Sequence, residues 1–176
     1  LSTLVQKECA WLPELFADPE AAVADEMARV ARVAPDQLGA ELRRAKRRIA
    51  LAVALCDLAG AWPLEAVTGT LTRFADHAAG LALRAGLSEQ IRRGRLPGQG
   101  EDDLDTGCGA VALAMGKMGA FELNYSSDID LICLFDETRY PDDAVQEARA
   151  GLVRAVRRMT ALLAEQTAEG YVFRTD

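Results

Sequence analysis

Histidine is almost missing from this 176-residue sequence, in which His77 stands alone. Cys9, Cys56, Cys108 and Cys133 fall in no C-x-x-C spacing, and with a single histidine the sequence shows no recognisable zinc set or Cys/His dyad. The four thiols read as reduced and mostly buried, the pattern of a cytoplasmic protein. No window approaches ~18 consecutive apolar residues, and the N-terminus lacks the basic-then-apolar order of a signal peptide, so no membrane segment is expected. Basic charge is also in deficit. Twenty Lys and Arg against 27 Asp and Glu give a net charge of −7, which argues against a broad surface for nucleic acid, because phosphate-backbone binding is driven by Lys and Arg displacing counterions. A protein or a small metal-bound nucleotide is the expected partner. The chain begins with Leu1 and stops at Asp176 within a strand-like run, and is expected to be a piece of something longer.

What is present is a half-apolar composition, enough for one ordinary domain or two small ones. From Asp18 to about Arg93 the sequence is dense in Ala, Leu, Arg and Glu at helical spacing, which predicts several packed helices. Breaks are expected at Ala34-Pro35, at Gly60-Ala61-Trp62-Pro63 and at Gly86, since Pro disfavours the α conformation before it and Gly serves as a helix stop. This gives a helical domain over residues 1–95. Residues 96–107, within the Gly-, Pro- and Asp-rich stretch Gly94 to Gly107, read as a linker or long loop.

Beyond it the period switches. AVALAMG reads as a short strand closed by Gly116, KMGAFELN as a turn with a helical piece, and SDIDLICLF as a second strand. Asp142 to Glu169 carries Val145, Ala148, Leu152, Val156, Met159 and Leu163 at three- and four-residue steps and predicts a helix, with Gly170 just past its end. YVFRTD is expected as a third strand. The whole is an α+β chain, mostly α overall, whose residues 108–176 form a small mixed-sheet unit.

The chemistry concentrates in Asn124 to Glu137. Aspartate is depleted in strands, and a carboxylate beside an apolar core is costly unless a cation or donors compensate it. Asp128 and Asp130 are two apart, which on a strand puts both side chains on one face and their Cα atoms ~6.5 to 7 Å apart. That spacing suits hard cations such as magnesium, and paired ions clamp the attacking and leaving oxygens of a phosphoryl displacement. The plainer reading is two partly exposed aspartates capped by Ser126 or Ser127. Upstream, the glycines of MGKMG, Gly116 and Gly119, let backbone N–H groups approach an anion, with Lys117 as a nearby positive charge. The basic run Arg43, Arg44, Lys46, Arg47 and Arg48 reads first as a solvated helix face and second as a contact for an acidic protein or a phosphate. His77 reads as an ordinary helix residue.

An apolar strand ending in Gly, a short helical turn and S-D-h-D-h on a second strand resemble the nucleotidyltransferase superfamily shared with the β-type DNA polymerases. Within it, GKMGAFELNYSSDIDL closely resembles the glutamine synthetase adenylyltransferase/adenylyl-removing enzymes. LRRAKRRIALAVALCDLAGAWPLEAVTGTLTRFAD is similar to the helical region preceding the N-terminal core of that family, so the likeness spans most of the chain. The resemblance implies a DNA polymerase β-like catalytic core behind a helical part, in a polypeptide with two such cores. The N-terminal core removes AMP from a tyrosine of glutamine synthetase by phosphorolysis, giving ADP, and the C-terminal one attaches it from ATP. The N-Y-S-S context before D-I-D resembles the removing core.

Carried onto this sequence, the family implies Asp128, Asp130 and Asp176 as catalytic metal ligands. It implies Gly116, Lys117, Gly119, Ser126 and Ser127 as the nucleotide- or phosphate-binding set, Mg2+ (or Mn2+) as cofactor, and glutamine synthetase and the PII signal protein as partners. Where the superfamily usually has Ser after the first glycine, this chain has Lys117, a cation that serves the same anion in place of a hydroxyl. Two other readings stand beside this one: a nucleotidyltransferase with a small-molecule or other protein acceptor, and a non-catalytic helical interaction module. A haloacid-dehalogenase reading of LICLFDET fails because position 138 is Thr, and an EF-hand lacks the required ligand and glycine spacing.

Overall fold

The computed structural model describes all residues 1–176. Five helices precede the sheet: α1 (Ser2–Lys7), α2 (Leu12–Ala17), α3 (Pro19–Ala31), α4 (Leu38–Leu58) and α5 (Leu64–Arg92). They are followed by β1 (Ala110–Ala114), α6 (Gly116–Gly119), β2 (Leu131–Phe135) and α7 (Val145–Ala164). Helix starts and stops follow local chemistry. Asp18 caps α3 by accepting from the Ala21 N–H, with Pro19 in the first helical position. At the end of α4, Gly60 adopts φ +66° while the Ala61 N–H turns back to the Cys56 carbonyl, the left-handed stop that glycine permits. Pro63 then opens α5.

The expected break at Gly86 does not occur: α5 runs unbroken through it for 29 residues. Gly86 is there for packing. A Cβ at this position would stand 2.4 Å from the carbonyl oxygen of Ala155 on α7, so the missing side chain is what lets the two helices touch backbone to backbone. Gly151 on α7 likewise makes room for backbone, in this case the Arg95 carbonyl in the segment that follows α5, which an added Cβ would strike.

The sheet is smaller than expected. β1 and β2 form a two-stranded antiparallel pair with Ala110 opposite Phe135 and Ala114 opposite Leu131. The expected third strand, YVFRTD, is reduced to one parallel bridge between Ile129 and Thr175. The segment stays irregular because its start is tied elsewhere: the Val172 and Phe173 N–H groups both donate to the Leu163 carbonyl at the end of α7. α7 itself is shorter than the predicted Asp142–Glu169, since Glu165 leaves the helical region with ψ 119°.

One apolar core runs from Trp11 and Leu15 through Leu42, Ile49 and Phe74 to Met118, Leu123, Ile129 and Phe173. A second, around Leu96, Leu104, Cys108, Tyr140 and Leu152, ties down the Gly- and Asp-rich stretch, whose Leu96 and Leu104 are buried. Of the thiols, Cys56 and Cys108 are buried and Cys9 and Cys133 exposed, all of them free. No helix is long and apolar enough to cross a membrane.

The basic run on α4 is neither a plain solvated face nor an open contact. Arg47 and Arg48 both grip Glu8, Arg48 also reaches Glu26, and Arg43 holds Glu165. Burial pushes the Glu8 and Glu26 carboxyls up, but the arginines more than offset it and leave both below the ordinary range. Half-buried Lys46 has no anionic partner and lies 3.6 Å from the centre of the Phe173 ring; burial pushes its amine down to about 7. The signs follow from linkage. The depressed carboxyls contribute stability above their unfolded value near 4.5, which is lost as pH falls through their folded values. The depressed lysine penalises the fold where it must be charged, and the penalty is relieved between about 7 and 10.5. Melting temperature is therefore expected to rise with pH through the carboxyl window and again from about 7 to 9, above which the raised Cys108 thiol acts in the opposite sense, and Lys46→Met is expected to flatten the rise from 7 to 9. A flat profile from pH 7 to 9 in the unsubstituted chain would contradict the Lys46 assignment.

Candidate functional site

The predicted residues meet. Gly116, Lys117, Ser126, Ser127, Asp128, Asp130 and Asp176, together with Asn124, line one cleft of about 550 Å3 that contains no hydrophobic side chain. Gly119 does not line it. Its place is structural, since a Cβ there would stand 2.5 Å from the Ala114 carbonyl oxygen as α6 turns back on β1. A second groove, apolar and about 510 Å3, runs between the sheet and α7, and none of the predicted residues lines it.

Local chemistry builds each wall. Gly116 opens α6 with φ +54°, and a Cβ on it would fall 2.6 Å from a carboxylate oxygen of Asp130. Glycine is thus required twice over, for the left-handed turn and for the approach of the aspartate. The Met115 N–H donates to the Asp130 carbonyl, locking the turn to the strand entrance. Asn124 organises the opposite wall: its side-chain oxygen accepts from the Ser127 hydroxyl at 2.7 Å and from the Ser126 N–H at 3.2 Å. The expected serine caps on the aspartates are absent because both serines serve this Asn-centred turn. Tyr125 anchors the turn to α4 through its hydroxyl and Asp57, and burial together with that carboxylate pushes its phenol up to about 12.

The floor is the single parallel bridge. The Ile129 N–H donates to the Arg174 carbonyl, the Asp176 N–H to the Ile129 carbonyl, and the Leu131 N–H to the Asp176 carbonyl. With Ile129 beside Thr175, the pleat puts Asp130 next to Asp176 and Asp128 next to Arg174, all four on the face away from buried Ile129. Arg174 Nε donates to Asp128 at 2.5 Å, and its Nη2 lies 3.4 Å from the Ser126 carbonyl. Asp130 and Asp176 have no cationic partner, and Lys117 is in no ion pair. No group of three or more His, Cys, Asp and Glu side chains is arranged to hold a metal ion by itself.

Sequence reasoning missed Asn124 and Arg174. The signal for Arg174 was present, since it sits two before Asp176 in the same alternation that pairs Asp128 with Asp130. His77, as expected, is an ordinary helix residue, its Nε2 3.0 Å from the Met27 carbonyl.

Acidic, hydroxyl and ammonium groups gather around a glycine turn with nothing apolar between them, a lining whose chemistry suits a polar, oxygen-rich ligand. The chain belongs to the glutamate-ammonia ligase adenylyltransferase family, whose model matches residues 1–176. It is 48% identical over 135 residues, 77% of this chain, to the bifunctional glutamine synthetase adenylyltransferase/adenylyl-removing enzyme of Bradyrhizobium sp. (strain BTAi1). It is 45% identical over 90% of its length to that of Xanthobacter autotrophicus, and 38% identical over its whole length to that of Caulobacter vibrioides. The chain spans 14%, 16% and 18% of those three relatives.

Proposed function

We propose that this chain carries the adenylyl-removing site of a bifunctional enzyme, at which inorganic phosphate releases AMP from an adenylylated tyrosine of glutamine synthetase as ADP. A phosphate oxygen attacks the AMP phosphorus, the bond from phosphorus to the tyrosine oxygen breaks, and the phenolate takes a proton. The observation that carries the reading is the convergence of Asp128, Asp130 and Asp176 with Gly116 and Lys117 in one cleft, in a chain of this family. The core around the cleft is read as a nucleotidyltransferase core of the DNA polymerase β type.

In this reading Asp130 and Asp176, with Asp128 once it is freed from Arg174, would hold magnesium or manganese. The carboxylate oxygens lining the cleft are of the kind a hard cation takes, its remaining oxygens coming from phosphates. When bound, that cation neutralises charge on the phosphate oxygens. Lys117 stands where it can draw the anion in, and the Asn124 turn holds the Ser126 and Ser127 wall still. The site asks little of a general base, because phosphate is ionised near neutral pH; positioning and charge supply most of the acceleration. ATP for the opposite reaction and PII for control belong to the longer polypeptide. The test is ADP formation from adenylylated glutamine synthetase, phosphate and magnesium. A complete polypeptide that releases AMP without consuming phosphate would refute phosphorolysis.

A further inference from the structure

The cleft holds three carboxylates, yet its charges are not equally matched. Asp130 and Asp176 are neighbours across the parallel bridge and make no ion pair, while Asp128 is paired with the guanidinium of Arg174, whose charge also reaches Asp176. That arginine is more than half exposed, so its charged end can leave Asp128 for another anion without disturbing the core, while its backbone stays fixed in the bridge. A guanidinium is always charged, and its planar fork suits a carboxylate or a phosphate equally.

We infer that Arg174 is a two-position residue of this cleft, which neutralises Asp128 when the site is empty and transfers to the phosphate oxygens of the ligand when a divalent cation takes Asp128. The inference rests on the metal-and-phosphate reading of the cleft and gives it a regulatory consequence. The cation and the guanidinium compete for one carboxylate and repel each other, so metal alone must break the Arg174–Asp128 pair without compensation. When a phosphate group enters with the metal, the released guanidinium gains a new anion. Metal and nucleotide therefore bind cooperatively through Arg174, and by linkage each raises the affinity for the other by the same factor. Free divalent cation binds the cleft weakly until a phosphorylated ligand accompanies it. Arg174 thereby acts as a positioning residue for the anion.

The experiment is a Mn2+ titration of the complete polypeptide, with the carboxylates of its other nucleotidyl core replaced so that only this cleft is read, followed calorimetrically and by the loss of the free-ion paramagnetic resonance signal, with and without saturating ADP. The unsubstituted chain is expected to bind Mn2+ weakly alone and at least tenfold more tightly with ADP, within the usual range of coupling between sites of about 5 to 150-fold. Arg174→Gln is expected to bind Mn2+ alone about tenfold more tightly, because the competitor is gone, while most of the gain from ADP disappears. An exposed arginine is not needed for folding, and Arg174→Lys, which keeps the charge without the fork, should fall between the two. A merely structural arginine would weaken both titrations together instead of moving them in opposite senses. Asp130→Asn separates the two levels of the argument. If it abolishes Mn2+ binding while Arg174→Gln matches the unsubstituted chain in both titrations, the two-position role is overturned and the cleft reading stands. If Asp130→Asn binds Mn2+ like the unsubstituted chain, the cleft is not the metal site and both fall.

Discussion

Asp130→Asn is expected to slow phosphorolysis of adenylylated glutamine synthetase more than a hundredfold. The change is nearly isosteric, so the contact with Gly116 and the Met115 N–H bond to the Asp130 carbonyl survive, and the loss is confined to one negative charge. If Asp130 holds the cation that clamps the phosphate oxygens, about 3 kcal/mol or more is withdrawn from the transition state, and the deficit appears in turnover. Folding should not share the loss. The bridge makes Asp130 and Asp176 neighbours and Asp130 is in no ion pair, so losing its charge removes no stabilising partner and the unliganded chain is expected to melt at about the same temperature. The assay belongs in the complete polypeptide with its AMP-attaching core disabled, so that only phosphorolysis is read. Near-normal turnover in the Asn variant would sink the paired-carboxylate mechanism and bring forward the reading of this chain as a non-catalytic interaction module.

Gly86→Val is expected to be the most damaging substitution away from the cleft. The new Cβ would sit 2.4 Å from the Ala155 carbonyl oxygen and 3.1 Å from its carbon. Those are backbone atoms inside a helix, and no rotamer change can move them. α5 and α7 must separate, opening the contact that joins both apolar cores, whose partners Leu87, Ala82, Leu163 and Met159 are all fully or almost fully buried. Overpacking ordinarily costs about 1 to 3 kcal/mol; with backbone on the receiving side the upper end or beyond is expected, read as the midpoint of urea unfolding. Gly80 on the same helix has nothing within 4 Å of an added Cβ, so Gly80→Ala serves as the control and should be neutral or stabilising through helix propensity. Equal midpoints for Gly86→Val and the unsubstituted chain would mean that the helices do not touch at this point.

What the sequence determined by itself is what short-range chemistry controls. Pro35, Gly60 and Pro63 place the ends of α4 and the start of α5, because proline and left-handed glycine act on their immediate neighbours. The D-x-D spacing brings Asp128 and Asp130 to one cleft, because alternation along an extended segment is local. The tertiary structure alone decided the features that join distant segments. Gly86 looks like a stop in the sequence and becomes a point of contact only because α7 passes there. The arginines of α4 look solvated until Glu8, Glu26 and Glu165 are brought to them from the end of α1, from α3 and from the end of α7. Arg174 pairs with a residue 46 positions away, through a bridge that depends on where Leu163 ties down the segment before it. Propensity and alternation extend over a few residues. Which charge finds which counter-charge is settled by the packing of whole helices, and the cleft's electrostatics lie at that level.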